Sequence, residues 1–297
     1  MLGRLAKEPP FRILARAILK RVPVSVETRA LWELSERPQY LVGVLAGARE
    51  ARRHGIDEIC VAEFGVAGGT GLLALEEAAA AVEREAGVRI KVYGFDNGPS
   101  GLPPGTGDYR DHPDWWKPGD FPMDVEKLKR RLTPRTQLIL GDVAETVDRF
   151  VEEVQDAPLG FASFDLDLYS STRAALRILS HEKRRILMNV PLYFDDIAFL
   201  VNHRFAGELL AIEEFNEEGN VKIDRWYGIR NNRPFPERPF LERMYVAHDL
   251  DAITRCSLSR ANVRLDLKSS SPLIELEPRL RKRDGRARGI QTSRLRK

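Results

Sequence analysis

Carboxylates stand at the ends of successive apolar runs in this sequence. Glu63 follows Ile59-Cys60-Val61-Ala62 and precedes Gly65-Val66-Ala67-Gly68-Gly69. Asp96 closes the run from Ile90 to Phe95, Asp165 and Asp167 close the run from Gly160 to Phe164, and Asp195 and Asp196 follow the run from Ile186 to Phe194. In an open parallel sheet the carboxyl ends of the strands share one edge, and ligands bind in the crevice there. Four acidic ends on one edge suit a cationic ligand. Carboxylates that converge repel one another unless a cation sits among them, and hard oxygen donors favour Mg²⁺, with Ca²⁺ or Mn²⁺ as alternatives. A spacing of two puts Asp165 and Asp167 on one side if the strand continues through them.

The glycine-rich stretch narrows the ligand class. In Glu63-x-Gly65-x-Ala67-x-Gly69-Thr70-Gly71, small residues let the backbone turn sharply and approach a ligand, and the following helix start offers unpaired N–H groups. An acid ahead of the glycines can take the ammonium of an amino-acid-bearing cofactor, which suits S-adenosylmethionine (SAM). A dinucleotide fingerprint opening at Gly69 is the competing parse, but Gly69 comes too late after a strand that ends at Phe64. Asp96 can accept two hydrogen bonds from ribose hydroxyls, a feature both nucleotide readings share. Gly141-Asp142 ends another strand; Asp142 either caps the next helix or lies against an adenine amino group. No Ser-His-Asp or Cys-His arrangement, Walker-type loop or zinc spacing accompanies these motifs.

The elements that must position these residues form a strand–helix alternation. Strands are expected near 59–64, 90–95, 137–141, 160–165 and 185–194, and helices near 69–86, 124–132, 143–154, 171–180 and 205–218. Runs at 221–229 and 241–248 read as an edge hairpin. This pattern predicts a Rossmann-like, doubly wound, mostly parallel seven-stranded sheet. An N-terminal helical extension (1–55) precedes a core domain (56–250), and 251–297 forms a C-terminal extension. Within the N-terminal part, Phe11, Leu14, Ile18 and Val22 line one side of a helix over 11–22. That apolar side is expected to pack on its own domain or on a second copy in a homodimer. The long loop from Asn97 to Asp124 is rich in proline and glycine and carries Tyr109, His112, Trp115 and Trp116. It reads as a lid over a small-molecule acceptor.

Bulk properties bound the class. The 297 residues are 43% hydrophobic and 31% charged, and the net charge is +3. Residues 278–297 carry nine Lys/Arg against one Asp, so the rest of the chain is net acidic. Such a tail is expected to be solvated, with contact to nucleic acid or an anionic surface as the alternative. No apolar stretch is long enough to span a membrane. The N-terminus lacks the pattern of a signal peptide, and two distant cysteines, Cys60 and Cys256, fit a reducing cytoplasmic setting.

Taken together, Glu63-Phe-Gly-Val-Ala-Gly-Gly-Thr70, Gly94-Phe-Asp96, Asp165-Leu-Asp-Leu-Tyr-Ser-Ser-Thr172 and Phe194-Asp-Asp196 resemble the macrocin O-methyltransferase-like family of class I SAM-dependent enzymes. The resemblance covers roughly 56–200. It implies Mg²⁺ at Asp165, Asp195 and Asp196, with Asp167 as general base. It also implies SAM contacts from Glu63, Gly65, Gly69, Asp96 and Asp142; Ala67, Thr70 and Gly141 complete the candidate cofactor set. The implied reaction is O-methylation of a small hydroxylated acceptor such as a sugar or another vicinal diol. Two stretches differ from the family's pattern: Ser180-His-Glu-Lys-Arg-Arg185 replaces a glycine-rich turn, and Pro191 stands in the strand before Asp195. These differences keep open a catalytically silent SAM-binding protein, and the basic tail keeps open a nucleic-acid methyltransferase.

Overall fold

The structure, a computed structural model, describes residue 8 and residues 10–256. The chain divides into residues 1–255 and residues 256–297, and the architecture below is that of the first part. The basic run over 278–297, with its expected surface contacts, lies outside the described residues.

Seven strands form one mixed sheet: β1 (Glu58–Phe64), β2 (Arg89–Asp96), β3 (Thr136–Leu140), β4 (Leu159–Phe164), β5 (Asn189–Phe194), β6 (Val221–Arg225) and β7 (Met244–Asp249). Their order is β3-β2-β1-β4-β5-β7-β6, with β7 antiparallel to both of its neighbours. The helices are α1 (Phe11–Leu19), α2 (Val26–Leu31), α3 (Pro38–Arg53), α4 (Thr70–Ala86), α5 (Val125–Lys129), α6 (Val143–Arg149), α7 (Tyr169–Ala175), α8 (Arg177–Ser180), α9 (Gly207–Glu217) and α10 (Leu250–Arg255). Strand order runs outward from β1 in one direction and from β4 in the other. Right-handed crossovers therefore place helices on both faces, and the switch point falls between β1 and β4. This is the Rossmann-like α/β fold that the alternation predicts.

A row of phenylalanines sets the level of the site. Phe95, Phe64, Phe164 and Phe194 are paired in register across β2, β1, β4 and β5. Their rings stack in sequence at 4.5, 5.1 and 4.8 Å between centroids, and all four are buried. Side chains alternate across a strand, so each residue after a phenylalanine leaves the row at the same height. Asp96, Gly65, Asp165 and Asp195 occupy those places. Helix α3 lies directly on β4, because a Cβ at Gly47 would fall 2.0 Å from the Gly160 carbonyl oxygen. That contact brings Arg37 and Tyr40, at the start of α3, to the carboxyl edge.

Several boundaries differ from the sequence reading. β4 ends at Phe164 rather than Asp165. Regular pairing of β5 begins at Asn189, with only an isolated bridge at Ile186. Pro191 is tolerated because β5 joins β4 through Leu192, Tyr193 and Phe194, so no ladder bond to β4 is lost at its imide. The expected helix over 143–154 turns into a π-helical segment at Phe150–Val154, and that over 124–132 is one short turn, α5.

Helix α1 packs on its own chain through its basic side, not through the apolar side expected to do so. Arg12 donates to the Pro234 carbonyl (3.0 Å) and pairs with Glu237 (2.8 Å). Arg16 donates to the carbonyls of Trp32 and Glu33, and both guanidinium groups lie over Phe235. Phe11, Leu14 and Ile18 are left exposed. Planar guanidinium groups satisfy loop carbonyls that apolar side chains cannot, which decides the orientation. Among the described residues, no helix is long and apolar enough to cross a membrane.

Candidate functional site

A cavity of about 290 Å³ opens at the carboxyl edge over the β1/β4 switch point. Glu63, Gly65, Ala67, Gly69, Thr70, Asp96, Gly141 and Asp142 all line it, together with Asp165 and Asp167. The residues singled out for a cofactor in the sequence therefore share one cleft.

The floor of the cleft is a loop organised by a carboxylate. Asp96 Oδ2 accepts from the backbone N–H groups of Val66 (2.9 Å) and Ala67 (2.8 Å), and Oδ1 accepts from Gly98 (2.6 Å). A carboxylate offers about four acceptor positions, so roughly one is left for a ligand rather than the two needed to hold both ribose hydroxyls without help. The same bonds stabilise Ala67 at φ 44, a left-handed conformation unusual for alanine. Gly65 is obligatory: φ is 85, and a Cβ there would meet the Asp165 carbonyl oxygen at 1.7 Å. Gly69, at φ 81, is the N-cap of α4, and Gly71 already lies inside the helix. The dinucleotide parse needs its first glycine at the strand–helix turn, and the structure places Gly69 past it. Asp142 caps α6 through the Ala144 N–H at 2.8 Å while also lining the cleft.

Glu63 is buried at one side of the cleft. Its Oε1 accepts from Tyr40 Oη at 2.5 Å, whereas Oε2 has no partner among the described residues. Burial pushes this carboxyl up to about 8, opposed by the Tyr40 hydrogen bond. Beside it stands Arg37, the N-cap of α3, whose guanidinium lies 5.6 Å from the Tyr40 ring centre.

The acidic residues of β4 and β5 converge. Asp165, Asp195 and Asp196 each offer an oxygen within 4.8 Å of the others. Asp195 Oδ1 is engaged by Arg243 (2.8 Å) and Tyr193 Oη (2.5 Å), and Asp196 Oδ2 by the Asp167 N–H (3.0 Å). The Asp196 and Asp167 carboxyls also interact side chain to side chain, whereas the Asp165 oxygens and Asp195 Oδ2 make no hydrogen bond among the described residues; such oxygens are hard donors of the kind a divalent ion prefers. Burial, then repulsion from Asp196 and Asp195, raises the Asp165 carboxyl to about 8. Asp196 is raised by burial and by Asp167, and Asp167 by burial and by Asp165. Charges this costly to bury are consistent with a site built for a cation.

Asp167 joins the group by a route that the two-residue spacing does not describe. The strand has ended, Asp167 sits at φ 63, and the Leu168 N–H bonds to the Leu166 carbonyl at 2.6 Å. This is a γ-turn with positive central φ, the rare and strained form. The strain is held by the bond from the Asp167 N–H to Asp196, and it turns the side chain into the cleft.

The lid expectation needs correction. Tyr109, His112, Trp115 and Trp116 do not line the cavity; Leu102, Pro103, Asp120 and Phe121, nearer the two ends of the loop, do. Tyr109 and Trp115 are exposed, and His112 is buried against His203 and Gly207. The loop folds back through Leu102 N–H to Asp120 and Gly119 N–H to Leu102, so its two ends line the cleft, with Trp116 packed on Phe121.

Four residues escape sequence reasoning: Arg37, Tyr40, Glu208 and Arg243. Glu208, in α9, is buried; its Oε2 accepts from the Asp196 N–H at 2.9 Å, and Oε1 has no partner among the described residues. Burial, then Asp196 and Asp165, holds its carboxyl well above the usual range. None of the four belongs to a local motif, and only the general rarity of buried acids at positions such as Glu208 marks them.

No protein-family profile matches the sequence, and no curated protein does. Among solved structures, the chain is similar to CalS11, a calicheamicin methyltransferase, at 22% identity and a TM-score of 0.49, over 81% of this chain and 93% of that one. It is similar to the O-methyltransferase NovP at 16% and 0.45, over 61% and 72%. The MycE methyltransferase of mycinamycin biosynthesis, solved with Mg, S-adenosylhomocysteine (SAH) and mycinamycin VI, is similar at 14% and 0.38, over 67% and 47%. Roles at the site rest on the geometry of this chain.

Proposed function

We propose that this chain is a SAM-dependent O-methyltransferase of the macrocin O-methyltransferase-like kind, acting with Mg²⁺ on a small acceptor that carries vicinal hydroxyls. The observation that carries this reading is a cleft lined by a glycine loop, Glu63, Asp96 and Asp165, in which Asp165 also converges with Asp195 and Asp196, just beyond the lining. The first group suits a nucleoside joined to an amino acid; the second suits a divalent cation.

SAM would supply an electrophilic methyl group, and Mg²⁺ would stabilise negative charge developing on the acceptor oxygens. The residues do the rest. The Val66–Gly69 loop, drawn down by Asp96, shapes the nucleoside floor. Glu63 Oε2, buried without a partner among the described residues, would receive the ammonium. Asp165, Asp195 and Asp196 would hold the cation. Asp167 takes the proton from the acceptor hydroxyl onto a carboxylate oxygen; its raised affinity for protons suits a general base working near neutral pH. Burial of the cluster and the loop ends at Leu102 and Phe121 limit water. Methyl transfer then depends mainly on alignment.

The test is calorimetric titration of SAM and, separately, of Mg²⁺ into wild type and an Asp195→Asn/Asp196→Asn variant, followed by a methyl-transfer screen against diols. SAM binding by both proteins, Mg²⁺ binding by wild type alone and methylation of a diol are the expected results. SAM binding with no Mg²⁺ site would leave a cofactor-binding protein with a structural acidic cluster. Nicotinamide dinucleotide binding in place of SAM would overturn the assignment.

A further inference from the structure

We propose that Arg37 and Glu63 form a zwitterion clamp, in which Arg37 holds the α-carboxylate of the cofactor's amino-acid end and Glu63 its α-ammonium. The proposal rests on the SAM reading above and adds a residue from outside the strand-end motifs.

Three observations carry it. First, both side chains line the same cleft. Second, Glu63 is a half-used acceptor. Its Oε1 is spent on Tyr40, and Oε2 is buried without a partner among the described residues. A buried carboxylate oxygen left open is costly, and an ammonium with three donors satisfies it. Third, Arg37 is an unused donor among the described residues. Its guanidinium is close enough to Glu63, Asp165 and Asp195 to feel their charges, yet among the described residues it makes no hydrogen bond or ion pair and is braced only over the Tyr40 ring at 5.6 Å. Its fork of donors is therefore open.

The sequence fixes this placement locally. Arg37 precedes Pro38, and the residue before a proline is kept out of the helical region. Its backbone stands at φ −113, ψ 81, outside α3. Pro38 begins the helix as a first-turn proline. Tyr40, two residues on, supplies both the ring under Arg37 and the hydrogen bond to Glu63. One short segment thus orients a cation and an anion side by side, which is the pattern an α-amino acid presents in reverse. A guanidinium suits this role better than an ammonium would, because its planar fork can bind a carboxylate through two parallel hydrogen bonds.

The test uses three probes on the full chain: SAH, its decarboxylated analogue, which keeps the amine, and methylthioadenosine, which has neither group. Wild type should bind SAH about 10- to 100-fold more tightly than the decarboxylated analogue, the range expected for a charge-assisted hydrogen-bonded pair. Arg37→Gln should erase that preference while leaving methylthioadenosine affinity unchanged, and Arg37→Lys should restore part of it. An Arg37→Gln variant that weakens SAH and methylthioadenosine equally would show that Arg37 supports the loop and does not touch the ligand. Unchanged SAH affinity in that variant would also overturn the clamp. Wild type that binds methylthioadenosine but does not prefer SAH would sink the clamp and leave the nucleoside pocket standing. Wild type that binds none of the three would sink the SAM reading itself.

Discussion

Tyr40 donates its phenolic hydrogen to Glu63 Oε1 at 2.5 Å and accepts from Ser163 at 3.1 Å, so α3, β1 and β4 meet at one oxygen. Tyr40 is completely buried, and its ring also packs on Phe161 and Tyr193. Tyr40→Phe keeps that packing and removes only the hydroxyl. Glu63 then has two unpaired oxygens in a buried place, and Ser163 loses its acceptor. The expected cost is about 1–3 kcal/mol in urea unfolding, together with weaker SAH binding as Glu63 loses its orientation. A variant as stable as wild type would mean that water replaces the hydroxyl.

Stability of the metal-free protein should fall as pH rises. Burial lifts Glu63 and Asp165 to about 8, against 4.5 and 3.8 for the free groups. A carboxyl raised in the folded state keeps its proton there after the unfolded chain has lost it. Its contribution is full below about pH 4 and is lost as pH climbs through about 8. With a chelator present, the melting temperature should therefore decline between pH 5.5 and pH 8. Added Mg²⁺ should narrow the difference, because a bound cation favours the ionised carboxylates. A melting temperature that rises across this window without metal would contradict the burial of these groups.

The strand ends were legible because a strand announces itself locally: a short β-branched and aromatic run, then an acid or a glycine. The stacked phenylalanines explain why that reading places the acids at one height, since each acidic end lies beside a member of the row. What was not legible depends on contacts distant in sequence. The turn at Asp167 is held by a carboxylate 29 residues away, and nothing in Asp165-Leu-Asp167 distinguishes it from a continuing strand. Glu208 and Arg243 reach the cluster from α9 and the start of β7. Length and aromatic and acidic content marked the loop with Trp115 and Trp116 as a cover, but neither tryptophan lines the cleft, and Trp116 packs on Phe121, which does. For α1, hydrophobic periodicity gave the stripe but could not say which side docks, because the partners of Arg12 and Arg16 lie in distant loops.

Asp167 should trade stability for chemistry. It holds a strained positive φ and adds a negative charge to a buried acidic group. Asn tolerates the left-handed region as well as Asp does, whereas Ala does not. Asp167→Asn is expected to raise the melting temperature of the metal-free protein, since it removes repulsion and keeps the turn. Asp167→Ala should be less stable than Asp167→Asn by about 1 kcal/mol. Both should lower methyl transfer by about 10²- to 10⁴-fold, the usual contribution of a general base, without loss of SAH binding. Retained turnover in Asp167→Asn would remove the residue from the reaction.

Glu208 should govern metal affinity without touching the metal. Its Oε2 holds the Asp196 N–H at 2.9 Å, and Asp196 in turn holds the Asp167 N–H at 3.0 Å. The three acids form a chain from α9 to the γ-turn, with Glu208 as its fixed end. Glu208→Ala removes the anchor, so Asp196 and Asp167 lose their orientation together. Outer residues of this kind typically change metal affinity by about 10- to 100-fold, and Mg²⁺ titration should show a loss in that range. Glu208→Gln keeps an acceptor for the Asp196 N–H and removes a charge that burial makes costly. It should retain most of the Mg²⁺ affinity and unfold at a higher temperature than wild type in chelator. The comparison separates anchoring from charge. If Gln weakens Mg²⁺ as much as Ala does, the negative charge of Glu208 matters more than its hydrogen bond. If neither changes Mg²⁺ binding, Asp196 is held by its own strand, and the chain from α9 is incidental.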